Sequence, residues 1–272
     1  MCELSTLAVP PIPSNLRTFA KTTELIMTNS TVTNSTREKY DQLWSGAWGD
    51  MQRLGPVHRR QTEALLKLVT NLNVSTVLDV GCGGGDNLAA LVHAMPHLVL
   101  SGADVSPEAL ALAARRVPGA SLVELDVQRE NLRETFDLVM AIQVIEHLAD
   151  DTSALRNMAL MAKQWVLVTT MRGRMRPSEQ FIGHFRNYSD RDLREKAANA
   201  GLEVVDLFGW GFPFYSPLYR TVIEWLPGGP PQGKIGTGQQ TLANALYRLY
   251  SLNIPRRGDV VTMLARPQAS PR

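Results

Sequence analysis

The stretch Thr76-Val77-Leu78-Asp79-Val80-Gly81-Cys82-Gly83-Gly84-Gly85-Asp86-Asn87 decides the fold. Its first five residues read as a short buried strand. The glycines that follow allow positive φ and close approach to a ligand, with no Cβ in the way. A helix is expected over 87–95, so the turn ends on the unpaired N–H groups of a helix N-terminus. A dinucleotide-binding turn would read Gly-x-Gly-x-x-Gly. Here the sixth position is Asp86, whose carboxylate would repel a phosphate. Asp79, at the end of the strand, suits a positively charged ligand instead.

Outward from this turn, the pattern alternates. Val99–Ala103 reads as a second strand, and Pro107 opens a helix through Arg116. Strands follow at Ser121–Leu125 and Phe136–Ala141, then a helix over 151–162 and a strand from Trp165 to Thr169. Ser189-Asp190-Arg191-Asp192 has the form of a capping box opening a helix that ends at Gly201. Glu203–Phe208 and Asp259–Ala265 are the last two strands. Such alternation implies βαβ units and a mostly parallel sheet covered on both faces.

Upstream, Val57, Ala64, Leu65, Leu68, Val69 and Leu72 have amphipathic-helix spacing, and helical signals run from Arg37 past Trp48. Residues 1–36 are rich in Ser, Thr, Asn and Pro and read as a mobile arm. The expected organisation is an arm (1–36), a helical lid (37–72), an α/β core (73–210), an inserted cap (211–257) and a final strand with its tail (258–272). Tyr40, Trp44 and Trp48 share one helical face. That face is either a lid over a ligand or a plain packing stripe.

The 272-residue chain is 44% hydrophobic and 20% charged, with a net charge of +2. That charge argues neither for nucleic acid nor for an anionic membrane as partner. Two cysteines, Cys2 and Cys82, cannot make a disulfide framework or a structural zinc site, and no metal-ligating set is assigned. No secretory pattern opens the chain, and no run approaches the ~20 apolar residues that span a bilayer. A cytoplasmic protein is expected. Peripheral lipid contact and oligomeric state stay open.

Val-Leu-Asp-Val-Gly-Cys-Gly-x-Gly from Val77, followed by Val144-Ile145-Glu146-His147-Leu148, resembles class I S-adenosylmethionine-dependent methyltransferases. The subgroup it looks like is the small-molecule one with a Glu-His-Leu motif, similar to quinone-biosynthesis methyltransferases. The likeness covers residues 76–170 well and extends more loosely to 210. It implies a Rossmann-like, doubly wound, seven-stranded sheet with its last strand antiparallel. It also implies S-adenosyl-L-methionine as cofactor, which carries a sulfonium and an ammonium but no phosphate. Asp79, Gly81, Gly83 and Gly85 would line its turn. Asp104, near the offset of about 20 residues expected of a ribose-holding acid, would take the hydroxyls beside Val105; a turn or N-cap aspartate is the alternative. Asp126 would accept from the adenine amino group, with Val127 serving a ring nitrogen through its N–H, unless Asp126 is merely a solvated turn residue. Gln143 completes the set.

Methyl transfer is an in-line displacement, so the protein must align the acceptor and manage one proton. His147 is the leading base candidate; equally, it could shape its loop, as Glu146 is expected to do. In Gly183-His184-Phe185-Arg186-Asn187-Tyr188-Ser189, His184 is a second candidate. Arg186 and Tyr188 either touch the acceptor or close the loop. Arg172, Arg174 and Arg176 read as a solvated run. Phe214 and Tyr215 in the inserted segment read as an acceptor wall, with a packing appendage or dimer contact as the alternative. The acceptor expected is a small, partly apolar metabolite, methylated at a hydroxyl oxygen. Alternatives are an isoprenoid quinone or lipid, transfer to N or C of a natural product, and a binding protein without turnover.

Overall fold

The computed structural model describes Asp41 and residues 51–225 and 236–268. The face proposed around Tyr40, Trp44 and Trp48, the arm, and much of the Gly/Pro-rich turn of the insertion lie outside the described residues.

Seven strands form one sheet in the order β3-β2-β1-β4-β5-β7-β6. They are β1 (Thr76–Val80), β2 (Val99–Asp104), β3 (Ser121–Glu124), β4 (Phe136–Ile142), β5 (Ala162–Met171), β6 (Leu202–Trp210) and β7 (Val260–Pro267). Neighbours from β3 to β5 are parallel, and β7 runs antiparallel between β5 and β6. This is the Rossmann-like architecture expected of the sequence. β5 starts earlier than its apolar run, where Ala162 pairs with Phe136 of β4, and both β5 and β6 run on through antiparallel pairing with β7.

Helices α1 (Met51–Leu54), α2 (Pro56–Thr70), α3 (Asp86–Ala94) and α4 (Pro107–Arg116) occupy the first half of the chain. α5 (Asp151–Met161), α6 (Pro177–Phe181) and α7 (Asp190–Asn199) occupy the second. Their starts obey local chemistry. Ser106 Oγ accepts from the Ala109 N–H at 3.2 Å, and Pro107 takes the first turn of α4. Ser189 and Asp192 form the capping box of α7.

Alternation along the strands sends side chains to two cores, one on each face. Val139, Ala141, Val166 and Val168 enter the core shared with α5 and α7. Leu138, Met140 and Leu167 enter the core shared with α2 and α3. Chain order reverses between β1 and β4, which opens a crevice at their C-terminal ends, where ligands bind in open α/β sheets.

Between β6 and β7 come a π-helical turn (Phe214–Tyr219), α8 (Arg220–Trp225), α9 (Thr237–Leu249) and a short 3-10 turn (Tyr250–Leu252). α9 docks on α2. The Tyr247 ring lies 3.7 and 3.9 Å from the guanidinium carbons of Arg59 and Arg60, and Glu63 accepts from the Tyr247 hydroxyl. α8 is fixed by buried Arg220, which donates to Glu179 and Asp259.

Candidate active site

The glycine turn is built on backbone. The N–H groups of Gly81 and Cys82 donate to the Ala103 carbonyl at 2.7 and 3.0 Å, tying the turn to the end of β2. Gly81, Gly83 and Gly85 all have positive φ. At Gly81 the demand is steric as well: an added Cβ would lie 2.5 Å from Val144 Cγ2. The turn thus packs directly on the segment that carries Glu146 and His147. Gly85 has a different reason. A Cβ there would meet the backbone and side chain of Ala113 in α4 at 3.0–3.1 Å, so helix packing also demands a glycine at this position.

Asp86 heads α3 and pairs with Arg116 at 2.7 Å. The helix N-terminus thus carries its own carboxylate, which leaves no place for a phosphate.

Asp79 is buried, and its Oδ2 has no hydrogen-bond partner among the described residues. Burial, with the Asp104 charge nearby, pushes its carboxyl well above the usual range. Asp104 is raised by burial too, an effect opposed by N–H groups of Ser106, Gly83 and Val105. Its Oδ1 accepts from Ser106 and its Oδ2 from Gly83, both at 2.9 Å, leaving each oxygen a further lone pair. Two buried carboxylates, with an oxygen orphaned and no cation between them among the described residues, suit a ligand that brings positive charge and hydroxyl donors. A sulfonium-bearing nucleoside has both. Asp41 accepts from the Ser106 hydroxyl, which brings one residue of the N-terminal segment beside Asp104. Asp126 is anchored in its own turn, accepting from the Gln128 N–H at 3.1 Å and facing Arg129 at 3.3 Å, and Val127 is buried next to it.

Gln143 follows β4 with φ 59°, its N–H donating to the Thr169 carbonyl at 2.7 Å and its buried Nε2 unpartnered among the described residues. Next comes the Ile145–His147 turn. Glu146 is fully buried, its Oε2 accepting from Thr170 Oγ1 at 2.7 Å, and burial lifts its pKa to about 7 against that hydrogen bond. The loop before α7 folds over this turn: Phe185 N–H donates to the Glu146 carbonyl at 2.8 Å. The His147 and His184 rings meet edge to face at 4.6 Å. Burial depresses the pKa of His184, partly opposed by Asn187. The two base candidates, 37 positions apart in the chain, thus share one site with Glu146.

Three expectations need correction. Tyr188 has 2% exposure, and its hydroxyl donates to Asp151 at 2.7 Å and to the Ile145 carbonyl at 3.0 Å, so no surface is left to meet an acceptor. Arg186 pairs with Asp151 at 2.7 Å and donates to the Ala149 carbonyl, closing the loop in the same way. Nor are Arg172 and Arg176 solvated; they hold Asp190 and Glu224. Burial alone would raise Asp151, but hydrogen bonds from Lys196, Tyr188 and Arg186 outweigh it and hold the carboxyl below its ordinary range.

Phe214 and Tyr215 sit in the insertion, where the Trp210, Tyr215, Tyr219 and Tyr250 rings pack with centroids 5.6–6.1 Å apart. The aromatic density read from sequence therefore supplies a small core of the insertion's own. A cavity of about 220 Å³ lies between α2 and the β5–β7–β6 strands, lined by Gln61, Leu65, Thr169, Trp210, Arg256 and Thr262 among others. Thr169 is the residue whose carbonyl holds Gln143, so this cavity adjoins the crevice.

The family described as "Methyltransferase domain" matches residues 78–164, which run from β1 through the glycine turn and the Glu-His-Leu motif into β5. The chain carries a methyltransferase domain. Among curated proteins, the methyltransferase is 27% identical over 181 residues to a trans-aconitate 2-methyltransferase of Escherichia fergusonii, covering 61% of this chain and 71% of the relative. Its fold is shared with the [4+2]-cyclase SpnF, at TM-score 0.59 and 17% identity over 86% of this chain and 96% of that one. It is shared as well with the N-methyltransferase NodS of Bradyrhizobium japonicum WM9, solved with S-adenosyl-l-homocysteine, at TM-score 0.57 and 17% identity over 86% and 99%. S-adenosyl-L-methionine is the cofactor that the resemblance of this chain's motifs implies, and a magnesium protoporphyrin IX methyltransferase of the same fold is solved with it bound, at TM-score 0.56 and 13% identity over 89% of this chain and 100% of that one. Among the described residues no helix is long and apolar enough to cross a membrane.

Proposed function

We propose that this enzyme methylates a hydroxyl oxygen of a small, partly apolar metabolite, with the Asp79–Gly83–Asp104 corner holding the cofactor and the Glu146–His147–His184 cluster handling the proton. When bound, the cofactor supplies an electrophilic methyl group on sulfur. The chain's own part is to align the acceptor oxygen and take its proton at His147 as the new C–O bond forms.

The observation that carries this reading is the convergence of His147 and His184 at the C-terminal ends of β4 and β5, beside the glycine turn. Three further features support a neutral, partly apolar acceptor. The cavity at Thr169 is lined mainly by apolar side chains. Arg172, Arg176, Arg186 and Arg220 each already hold a carboxylate, so none stands ready for a polyanion such as the acceptor in the trans-aconitate relative's name. Phe181, at the end of α6, and Phe185, on the loop that carries His184, are exposed and offer apolar contact. The insertion (211–257) is proposed as the cap of this acceptor site, and residues 37–72 as a lid over the cofactor.

A screen of hydroxylated metabolites, carboxylic acids, amines and isoprenoid quinones with labelled methyl donor, followed by mass analysis of products, tests the reading. Label in a neutral O-methyl ether is the expected result. Label confined to carboxylate esters or amines would overturn it.

A further inference from the structure

One group beside the candidate base is only half satisfied by its neighbours. Glu146 is fully buried, its Oε2 is taken by Thr170, and its Oε1 has no hydrogen-bond partner among the described residues. A buried carboxylate oxygen of this kind costs free energy unless a donor or a cation meets it. The groups within reach are the two histidines: one donor atom each from Glu146, His147 and His184 lie within 4.8 Å of one another.

Each of the three is also oriented from behind. His147 Nδ1 lies 3.3 Å from the Gly183 carbonyl, and His184 Nδ1 lies 3.4 Å from Asn187 Oδ1. Asn187 is turned the right way by donating its own Nδ2–H to Glu179 at 2.8 Å. An imidazole that donates Nδ1–H to an oxygen carries its lone pair on Nε2, the arrangement by which metal-binding histidines are fixed. Thr170 plays the same part for the carboxylate.

We propose that Glu146 Oε1 and the Nε2 atoms of His147 and His184 form a seat for a divalent transition-metal ion. Two imidazoles and one carboxylate are a ligand set that suits zinc or ferrous iron and not magnesium or calcium, which favour all-oxygen shells. Metal–nitrogen bonds of about 2.0–2.1 Å in a tetrahedral site put ligand atoms roughly 3.4 Å apart, so the cluster, whose donor atoms lie within 4.8 Å of one another, draws in by up to about 1.4 Å on binding. Side-chain rotation supplies that much. With metal bound, His147 would be a ligand and no longer the base; the open coordination position left by three protein ligands would instead make an acceptor hydroxyl more acidic, so that its proton leaves to solvent. The seat rests on this geometry and not on the hydroxyl-acceptor reading, so metal binding can be measured with no acceptor present.

The test uses untagged full-length protein stripped with chelator and titrated with Co²⁺. The expected result is stoichiometric binding with visible ligand-field bands of a nitrogen-containing site, displaced by Zn²⁺. His184→Gln and Glu146→Gln should each weaken Co²⁺ at least as much as loss of an outer-shell partner does, which is roughly tenfold to hundredfold. Asn187→Ala should fall in that outer-shell range. Zn²⁺ should also raise the melting temperature of stripped wild-type protein. No Co²⁺ bands and no Zn²⁺-dependent shift in folded wild-type protein would overturn the seat while leaving methyl transfer intact. Equal Co²⁺ affinity in wild type, His184→Gln and Glu146→Gln would overturn it as well. Metal binding by a protein that methylates no hydroxyl would sink only the acceptor reading.

Discussion

The two halves of the crevice are built in different ways. On the β1–β3 side the candidate cofactor groups are fixed by backbone: Gly83 and Ser106 N–H groups clamp Asp104, and the Gln128 N–H clamps Asp126. On the β4–β7 side the groups are fixed by side chains that reach across long stretches of sequence. Tyr188, Arg186 and Lys196 converge on Asp151, and Arg220 bridges Glu179 and Asp259. A backbone-built site survives most single side-chain changes beyond its carboxylates. A side-chain-built one is exposed to each of them, because removing one partner leaves another buried charge alone.

That contrast is open to several breaks. The largest expected effect is on the second side: His147→Ala should lower turnover by about 10²-fold or more while leaving cofactor affinity unchanged. Steady-state kinetics beside calorimetry with S-adenosylhomocysteine reads both, and a parallel loss of cofactor affinity would erase the division. On the first side, Asp104→Ala should weaken the cofactor by roughly tenfold to 150-fold, since hydrogen bonds to a charged group contribute about 1.5–3 kcal/mol. Unchanged calorimetric affinity would return Asp104 to a turn-capping role.

Gly81 tests the seam between the halves. Gly81→Ala sets a Cβ against Val144 at a positive φ and should cost about 1–3 kcal/mol of stability, read from denaturant unfolding. Val144→Ala in the same chain should recover the steric share only. Full additivity of the two changes would mean that the halves do not press on one another there.

In the insertion, Tyr215→Ala should raise the acceptor KM by roughly twofold to tenfold, the scale of one aromatic contact worth about 0.5–1.5 kcal/mol. Cofactor affinity should be spared. An unchanged KM would leave the ring cluster as packing alone.

The smallest effect at neutral pH comes from titration, and the two halves differ in sign. Asp79 and Asp104 have raised carboxyls, so their folded state holds more protons than the unfolded chain. Their contribution is present at low pH and is lost as pH rises through the folded values. Asp151 is held low, so its contribution is present at neutral pH and lost as pH falls through its folded value. Melting curves of cofactor-free Asp79→Asn should therefore lose part of the wild-type decline on the alkaline side. Those of Asp151→Asn should lose part of the decline on the acid side. The same slope in both variants would refute the assignment.

The sequence by itself determined the sheet, the glycine turn and the order of the carboxylates, because each depends on near neighbours. Alternation of apolar residues sets strands, capping residues set helix starts, and the acids of β1, β2 and β3 fall at strand ends by local spacing alone. The capping box at Ser189 and the first turn at Pro107 were legible for the same reason. Only the tertiary structure decided what the second half does. Tyr188 and Arg186 stand in a motif whose spacing suits acceptor contact as well as loop closure, and the choice fell to Asp151, which lies far upstream. Gly85 carries a second demand for glycine that no local spacing records, because α4 passes over it. His147 and His184 met only because the Phe185 N–H pairs with the Glu146 carbonyl and draws two loops together. Contacts of this kind depend on how elements pack in three dimensions, and no periodicity along the chain records them.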